Sequence, residues 1–441
     1  MAHPDPTPRR HVGLLVARLP LSAAGVPGDT GVCETIAGLE RLGLRPQLYA
    51  LDTSAEIAAT AKGAARMQPL HQITTHLHQL AIAPLRYLST LTHAALRHRA
   101  GLAEFALAVR LAQTLQRDGI VHVHACDLAG ASLAQSVARL SGMRFSTSLQ
   151  SVPLDDANRR AIERSASAAH FTMLPTDAAL RAVKAIAPRA AVHRAYPSVD
   201  SRNYCPKLRS RPASVPLLLA VGEAREKWDI APLVEACRRL AQGGTVLRCE
   251  VVGAAHDLPG LQAQIDRCGL RDRVRLVGPL SPSRLMERYS RAAIFVQVPS
   301  LASQASLAGI PPGLLEAMAM GLPVVAVRAP ATEECVTHAS SGWLVASGDA
   351  AQLFEAIARL LVEPRLGETL GKKARETAVE RFDSDTNLKT LQRLLEDASR
   401  RAALAPNHAL LSVRHASAVV PIDVRSAALS HQRVPREFQH A

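Results

Sequence analysis

Short runs of consecutive apolar residues alternate along this chain with longer stretches whose apolar positions recur every three to four residues. HVGLLVARL, QLYAL, IVHVHA, RFSTSLQ, HFTML and VHRAY read as strands, and ETIAGLERLG and GASLAQSVARLSG between them read as helices. A continuous apolar run is what a strand covered on both faces needs, and helices placed between such strands imply a parallel sheet. The polar stretch DSRNYCPKLRSRPASV, rich in Pro, Ser and Arg, interrupts the pattern. It then resumes with LLLAVG, LRCEVVG, VRLVG, AIFVQV, PVVAV and GWLVA as strands, separated by helices such as PLVEACRRLA and PSRLMERYSRA. The pattern predicts an α/β protein of two doubly wound, Rossmann-like units, residues 1–200 and 216–383, joined by a linker at 201–215. Ligands of such units sit at the carboxyl ends of the strands, so two units facing each other create a cleft. Periodicity is lost after Leu404, which predicts a flexible tail over 404–441.

Residues Ile57 to Arg117 form a long, mostly helical insertion carrying His71, His76, His78, His93 and His98 with arginines between them. The spacing does not suit a metal site, and a solvated or membrane-facing basic helix is the expectation. The chain has 441 residues, nearly half of them hydrophobic and only 3% aromatic, so Leu, Val, Ile and Ala must fill the core. A formal net charge of +14 favours acidic partners, including an anionic membrane surface. Without basic–aromatic alternation or a binding module, nucleic acid is not expected. The seven cysteines show no paired spacing and read as reduced thiols of a cytoplasmic protein. No apolar run reaches the length of a membrane span, so attachment to the inner face of a membrane would be peripheral.

The stretch GIPPGLLEAMAMGLPVVAV, with AIFVQVPS before it and EECVTHASSGWLVASGD and RFDSDTN after it, resembles the nucleotide-sugar domain of the retaining glycosyltransferases of family 4, which have the GT-B fold. GDTGVCETIAGLERLGLRPQLYALD and GIVHVHACDLAGASLAQSVARLSGMRFS are similar to N-terminal segments of members that build bacterial exopolysaccharides of the colanic-acid type. The resemblance implies transfer of a sugar, with retention, from a nucleoside-diphosphate sugar to a lipid-linked or polysaccharide acceptor. Other glycosyltransferases of the same pathway are implied as partners. It implies no metal and no further cofactor, and a final helix at 384–403 returning to the N-terminal domain.

Such chemistry needs positive charge or helix N-termini at the departing diphosphate, and a carboxylate for the ribose hydroxyls. By the resemblance, Glu316 is the ribose-binding glutamate and opens a helix, and Gly309 and Pro311 form the turn that aims this helix at the donor. The family's sugar-contacting glutamate, eight positions before Glu316, falls on Ala308. In LLLAVGEAREKWD, Glu223 and Trp228 stand where an arginine and a lysine grip the diphosphate, with Arg225 and Lys227 close enough in sequence to substitute. The histidine that contacts the sugar at the end of RFSTSLQ is replaced by Gln150, and Cys126 replaces the second histidine of a His-Ala-His step. His122 and His124 alternate along a strand and so face one way, which suits core histidines. Gly25, Gly28 and Gly31 stand for the family's glycine loop.

With Gln150 and Ala308 degenerate, no catalytic residue is assigned. Two readings follow: a glycosyltransferase of exopolysaccharide or cell-envelope glycan synthesis with an unusual donor site, or a weak or inactive pseudo-glycosyltransferase acting as partner, scaffold or glycan binder. A dinucleotide-dependent dehydrogenase is disfavoured, because no G-x-G-x-x-G follows the first strand.

Overall fold

The computed structural model describes residues 11–18, 30–44, 46–52, 69–95, 98–150, 152–208, 214–222, 229–253, 258–298, 306–307 and 309–403. The first half contributes β1 (His11–Arg18), β2 (Pro46–Asp52), β3 (Ile120–Ala125), β4 (Arg144–Ser148), β5 (Val152–Pro153), β6 (Thr172–Leu174) and β7 (Val192–Arg194). The second contributes β8 (Leu217–Val221), β9 (Arg248–Val252), β10 (Val274–Val277), β11 (Ile294–Val296), β12 (Ser306–Leu307), β13 (Val324–Val327) and β14 (Trp343–Val345). They form two six-stranded parallel sheets, β2-β1-β3-β4-β6-β7 and β10-β9-β8-β11-β13-β14. Each sheet steps outward from a central strand in both directions, so each has a point where the strand order reverses and where ligands bind. The expected pair of Rossmann-like units is therefore present. The remaining strands, β5 and β12, pair with each other, one from each half.

Helix starts follow local capping chemistry. The Asp127 carboxylate accepts from Gly130 N at 2.6 Å ahead of the Leu128–Ser141 helix, and that helix ends on Gly142 at φ 75°, a left-handed conformation suited to glycine. Asp155, Thr176 and Asp349 cap three further helices in the same way. The Ser384–Ala403 helix carries Leu391, Leu395 and Ala398 into the first half, where they pack with Val12, Leu14, Phe171 and Met173. The chain thus crosses between the halves twice, once in each direction.

The histidine-bearing insertion is helical over Pro69–Ile82, Pro84–Ala95 and His98–Arg117; residues 57–68 lie outside the described residues. The third of these helices buries Phe105, Ala108, Val109, Ala112 and Leu115 against the sheet. Of the expected solvated or membrane-facing basic helix, the basic character needs correction on the first two. His76 turns inward, with its Nδ1 2.9 Å from the Tyr87 hydroxyl, while the exposed positions include Leu77, Ile82, Leu85 and Leu88. Apolar side chains, more than cations, face solvent there. Among the described residues no group of His, Cys, Asp and Glu could hold a metal ion, and no helix is long and apolar enough to cross a membrane. The expected tail at 404–441 and linker residues 209–213 lie outside the described residues.

His122 and His124 are fully buried on β3 and share one acceptor–donor group. The Ser146 hydroxyl lies 2.8 Å from His122 Nε2 and 2.8 Å from His124 Nδ1, and Ser148 lies 2.9 Å from His124 Nε2. Both rings stack on Phe171. They are core residues held neutral: burial pushes His122 down to about 3 and His124 down to about 4. The unfolded chain binds these protons near pH 6.5 and the folded chain does not, so stability is intact above that pH and falls as pH drops toward 4. The expected slope from the pair is up to about 2.7 kcal/mol per pH unit in urea unfolding. The double substitution His122→Gln, His124→Gln should flatten it; a slope equal to that of the wild type would contradict this account.

Candidate functional site

The Pro312–Ala319 helix begins where the sequence forces it to. Pro311 is the N-cap at φ −58°, and Pro312 occupies the first helical position, where its missing N–H costs nothing. Gly313 allows the helix to abut the carboxyl end of β8: a Cβ there would stand 3.1 Å from the Tyr289 hydroxyl and 3.3 Å from the Val221 carbonyl. Glu316 is therefore the fifth residue of this helix, one turn in, and does not open it as expected. Its neighbours Leu314, Leu315, Ala317 and Met318 are wholly buried, while Glu316 keeps a partial exposure.

The carboxylate is held by two tyrosines. Tyr204 donates its hydroxyl to Oε1 at 3.0 Å, and the Tyr289 hydroxyl, which donates to the Gly313 carbonyl at 3.2 Å, lies against it. Burial raises the Glu316 pKa, and the tyrosine bonds oppose that shift. Tyr204 belongs to the segment between the two sheets, and Arg375 fixes it there. The Arg375 guanidinium donates to the Tyr204 carbonyl at 2.8 Å, to the Ser201 carbonyl at 3.2 Å and to the Ala319 carbonyl at the end of the Glu316 helix. One side chain thus ties the linker to the helix that carries the carboxylate. At the strand ends, Leu233, Val296, Val298 and Val345 line a shallow apolar slot rimmed by Asp229 and Gln297. The Glu316 carboxylate is a preoriented hydrogen-bond acceptor, which suits a ribose hydroxyl pair.

The two halves are joined across the cleft by direct contacts. β12 pairs antiparallel with β5, Leu307 opposite Val152 and Ser306 opposite Pro153. Leu307 is buried in the first half's core among Leu149, Val152, Leu174 and Ala179. Both carboxylate oxygens of Glu334 accept from the Asp177–Ile186 helix N-terminus, Oε2 from Asp177 N and Oε1 from Ala178 N, each at 2.9 Å. Gly309 is pressed against the first half as well: a Cβ there would lie 3.3 Å from Pro197 and 3.4 Å from Pro175. Its lack of a side chain is a requirement of the interface, beyond the turn expected from sequence.

The other sequence candidates divide. Gln150 is exposed just past β4, two residues before β5, and Pro311 is half-buried at the helix start. Gly31 lies in the Thr30–Arg41 helix. Gly25, Gly28, Ala308, Glu223, Arg225, Lys227 and Trp228 lie outside the described residues. Sequence reasoning missed Tyr204, Tyr289, Arg375 and Glu334. Tyr204 had a signal: the chain has five tyrosines, and one stands alone in a polar linker.

Comparison with known proteins fits this geometry. Residues 208–377 match the family described as glycosyl transferases group 1. Across 88% of the chain the fold follows Anabaena Alr3699/HepE, solved in complex with UDP-glucose, with a TM-score of 0.65 at 16% identity over 99% of that chain. Sucrose-phosphate synthase from Thermosynechococcus elongatus aligns at a TM-score of 0.66 and 16% identity, over 89% of this chain and all of that one. The fold is therefore GT-B. Among curated proteins, the amylovoran biosynthesis glycosyltransferase AmsK of Erwinia amylovora is 36% identical over 152 residues, 34% of this chain and 36% of that protein. The putative colanic acid biosynthesis glycosyltransferase WcaL of Escherichia coli K12 is 28% identical over 211 residues, 47% of this chain and 52% of that protein. The chain spans between about a third and about half of the length of these relatives.

Two outcomes follow from the geometry. Glu316→Gln removes a charge that burial disfavours and keeps an acceptor for Tyr204, so the melting temperature should hold or rise; if the chain binds a nucleoside diphosphate, that affinity should fall by about 1–3 kcal/mol in calorimetry. A parallel loss of stability would show the carboxylate to be structural only. Glu334→Ala removes a charge-assisted cap and should lower unfolding stability by about 1–2 kcal/mol and enlarge the solution scattering radius. An unchanged radius would mean that this cap does not hold the halves together.

Proposed function

We propose that this chain is a retaining glycosyltransferase of family 4 acting in exopolysaccharide or cell-envelope glycan synthesis. In this reading it takes a nucleoside-diphosphate sugar and delivers the sugar to a lipid-linked or polysaccharide acceptor at the inner face of a membrane. The observation that carries the reading is the Glu316 carboxylate, fixed by Tyr204 at the linker and partly open to solvent within the segment matching group 1 glycosyl transferases. The relatives that build amylovoran and the putative colanic acid enzyme support the pathway, and the UDP-glucose complex of HepE supports the donor class.

Glu316 would accept the ribose hydroxyls through the lone pairs that Tyr204 leaves open. The Pro312–Ala319 helix N-terminus, with Arg225 and Lys227, would draw off charge as the diphosphate departs from the anomeric carbon. The acceptor hydroxyl would attack the face the diphosphate leaves. A carboxylate is missing at Ala308, an imidazole at Gln150, and an arginine and a lysine at Glu223 and Trp228; these four departures favour the inactive alternative. No metal or other cofactor enters either reading.

A donor screen by calorimetry, with product release assayed beside it, separates the two. The wild type should bind a nucleoside-diphosphate sugar and release the diphosphate. Each lost electrostatic stabiliser can cost about 10²–10³ in rate, so a truly defective site should show nothing. Binding seen only in the variant Ala308→Glu, Glu223→Arg, Trp228→Lys, Gln150→His would instead establish the pseudo-glycosyltransferase.

A further inference from the structure

The Pro69–Ile82 and Pro84–Ala95 helices form one bent helical element: Ala83 N donates to the Gln79 carbonyl and Tyr87 N to the Ala83 carbonyl, so helical bonding runs on through the bend at Pro84. Its inward side is accounted for. Tyr87 and His76 pack on Phe105, Gln79 donates to the Leu140 carbonyl at 3.2 Å, and Thr90 and Ala94 are buried. Its outward side carries Leu77, Ile82, Leu85 and Leu88, respectively 60%, 51%, 83% and 50% exposed. One exposed leucine is ordinary on a soluble surface; four large aliphatic side chains within twelve residues, two of them flanking the bend, are not.

Charge identifies what covers this face. Residues 69–95 contain no aspartate or glutamate. Arg86, exposed on the second helix, lies over Gly142, where any Cβ would collide with its guanidinium. Arg139 and Arg144, both exposed, flank Gly142 in the chain. An apolar face is therefore edged by three arginines. A second copy of the chain packed symmetrically on this face would bring the arginine edges together, whereas an anionic bilayer supplies hydrocarbon for the face and phosphates for the edge.

We propose that the bent Pro69–Ala95 helical element is a membrane-docking element, with Leu77, Ile82, Leu85 and Leu88 seated at the headgroup–acyl boundary of an anionic bilayer. Arg86, Arg139 and Arg144 lie among the lipid phosphates. The proposal deepens the peripheral location given above and rests on nothing in the donor site. It also changes the expected mode of attachment: apolar insertion supplies the hold, and charge directs the approach.

The test is co-sedimentation of the full chain with phosphatidylcholine–phosphatidylglycerol vesicles and with phosphatidylcholine alone. The wild type should bind the anionic vesicles more strongly, and high salt should weaken this binding without abolishing it. Ile82→Ser, Leu85→Ser should lower the partition coefficient by about a hundredfold, since burying one leucine-sized side chain is worth roughly tenfold or more. Leu77→Gln, Leu88→Gln should act in the same direction. All four positions are exposed, so the circular dichroism spectra and melting temperatures should match the wild type, and so should nucleotide binding. Wild-type protein that ignores both vesicles, or is fully released by salt, overturns the proposal, as does a serine variant that binds like the wild type. A dimer lost in the same variants without vesicle binding would assign the face to a second copy and overturn it too.

Discussion

The antiparallel pairing of Ser306–Leu307 with Val152–Pro153 is the contact on which the rest of this structure depends. Two Rossmann-like units joined only by a linker would be free to take many relative positions, and interfaces of that kind default to motion. Here Leu307, from the second half, is a core residue of the first, where it is 1% exposed. Withdrawing it would expose a leucine and leave a cavity among Leu149, Leu174 and Ala179, a penalty of about 2–5 kcal/mol. Glu334 adds a charge-assisted cap on the same side of the cleft.

The linker is also more than a tether. Val199 bridges to Asp383, Ser201 donates to the Asp383 carboxylate at 2.6 Å, and Arg375 holds the carbonyls of Ser201 and Tyr204. The outgoing and returning chains are therefore stitched side by side. A consequence for the candidate site is that Tyr204 reaches Glu316 from the linker, so the carboxylate senses how the halves are joined. The same crossing sends the Ser384–Ala403 helix back onto Val12 and Met173.

Much of this was legible in the sequence. Runs such as IVHVHA and PVVAV predicted central strands because continuous apolarity needs helices on both faces, and two such series predicted two doubly wound units, while the GT-B arrangement was implied by the resemblance. The pairing of β5 with β12 was not legible: two-residue strands have no periodicity to read. Glu316 was singled out by motif, but its depth in the helix was misjudged, because a Pro-Pro-Gly start shifts the first turn toward Pro312. Glu334 was hidden in an ordinary Glu-Glu pair, whose partner is 157 residues away. The histidines of the insertion suggested a wet cationic surface, and the structure turns His76 inward while leaving leucines outside. Charge composition does not say which side of a helix faces solvent.

The fold holds a cleft in a set geometry, two tyrosines preorient a carboxylate, and a bent helical element of the first half presents an apolar face. In this account the cleft geometry is built into the free protein and is not assembled by a ligand. Amide hydrogen exchange read by mass spectrometry on peptides covering Val152–Pro153 and Ser306–Leu307, without nucleotide, tests this most directly. The account predicts protection there close to that of the flanking sheet strands. Exchange at the rate of an unstructured chain would show that the halves part freely and would contradict it.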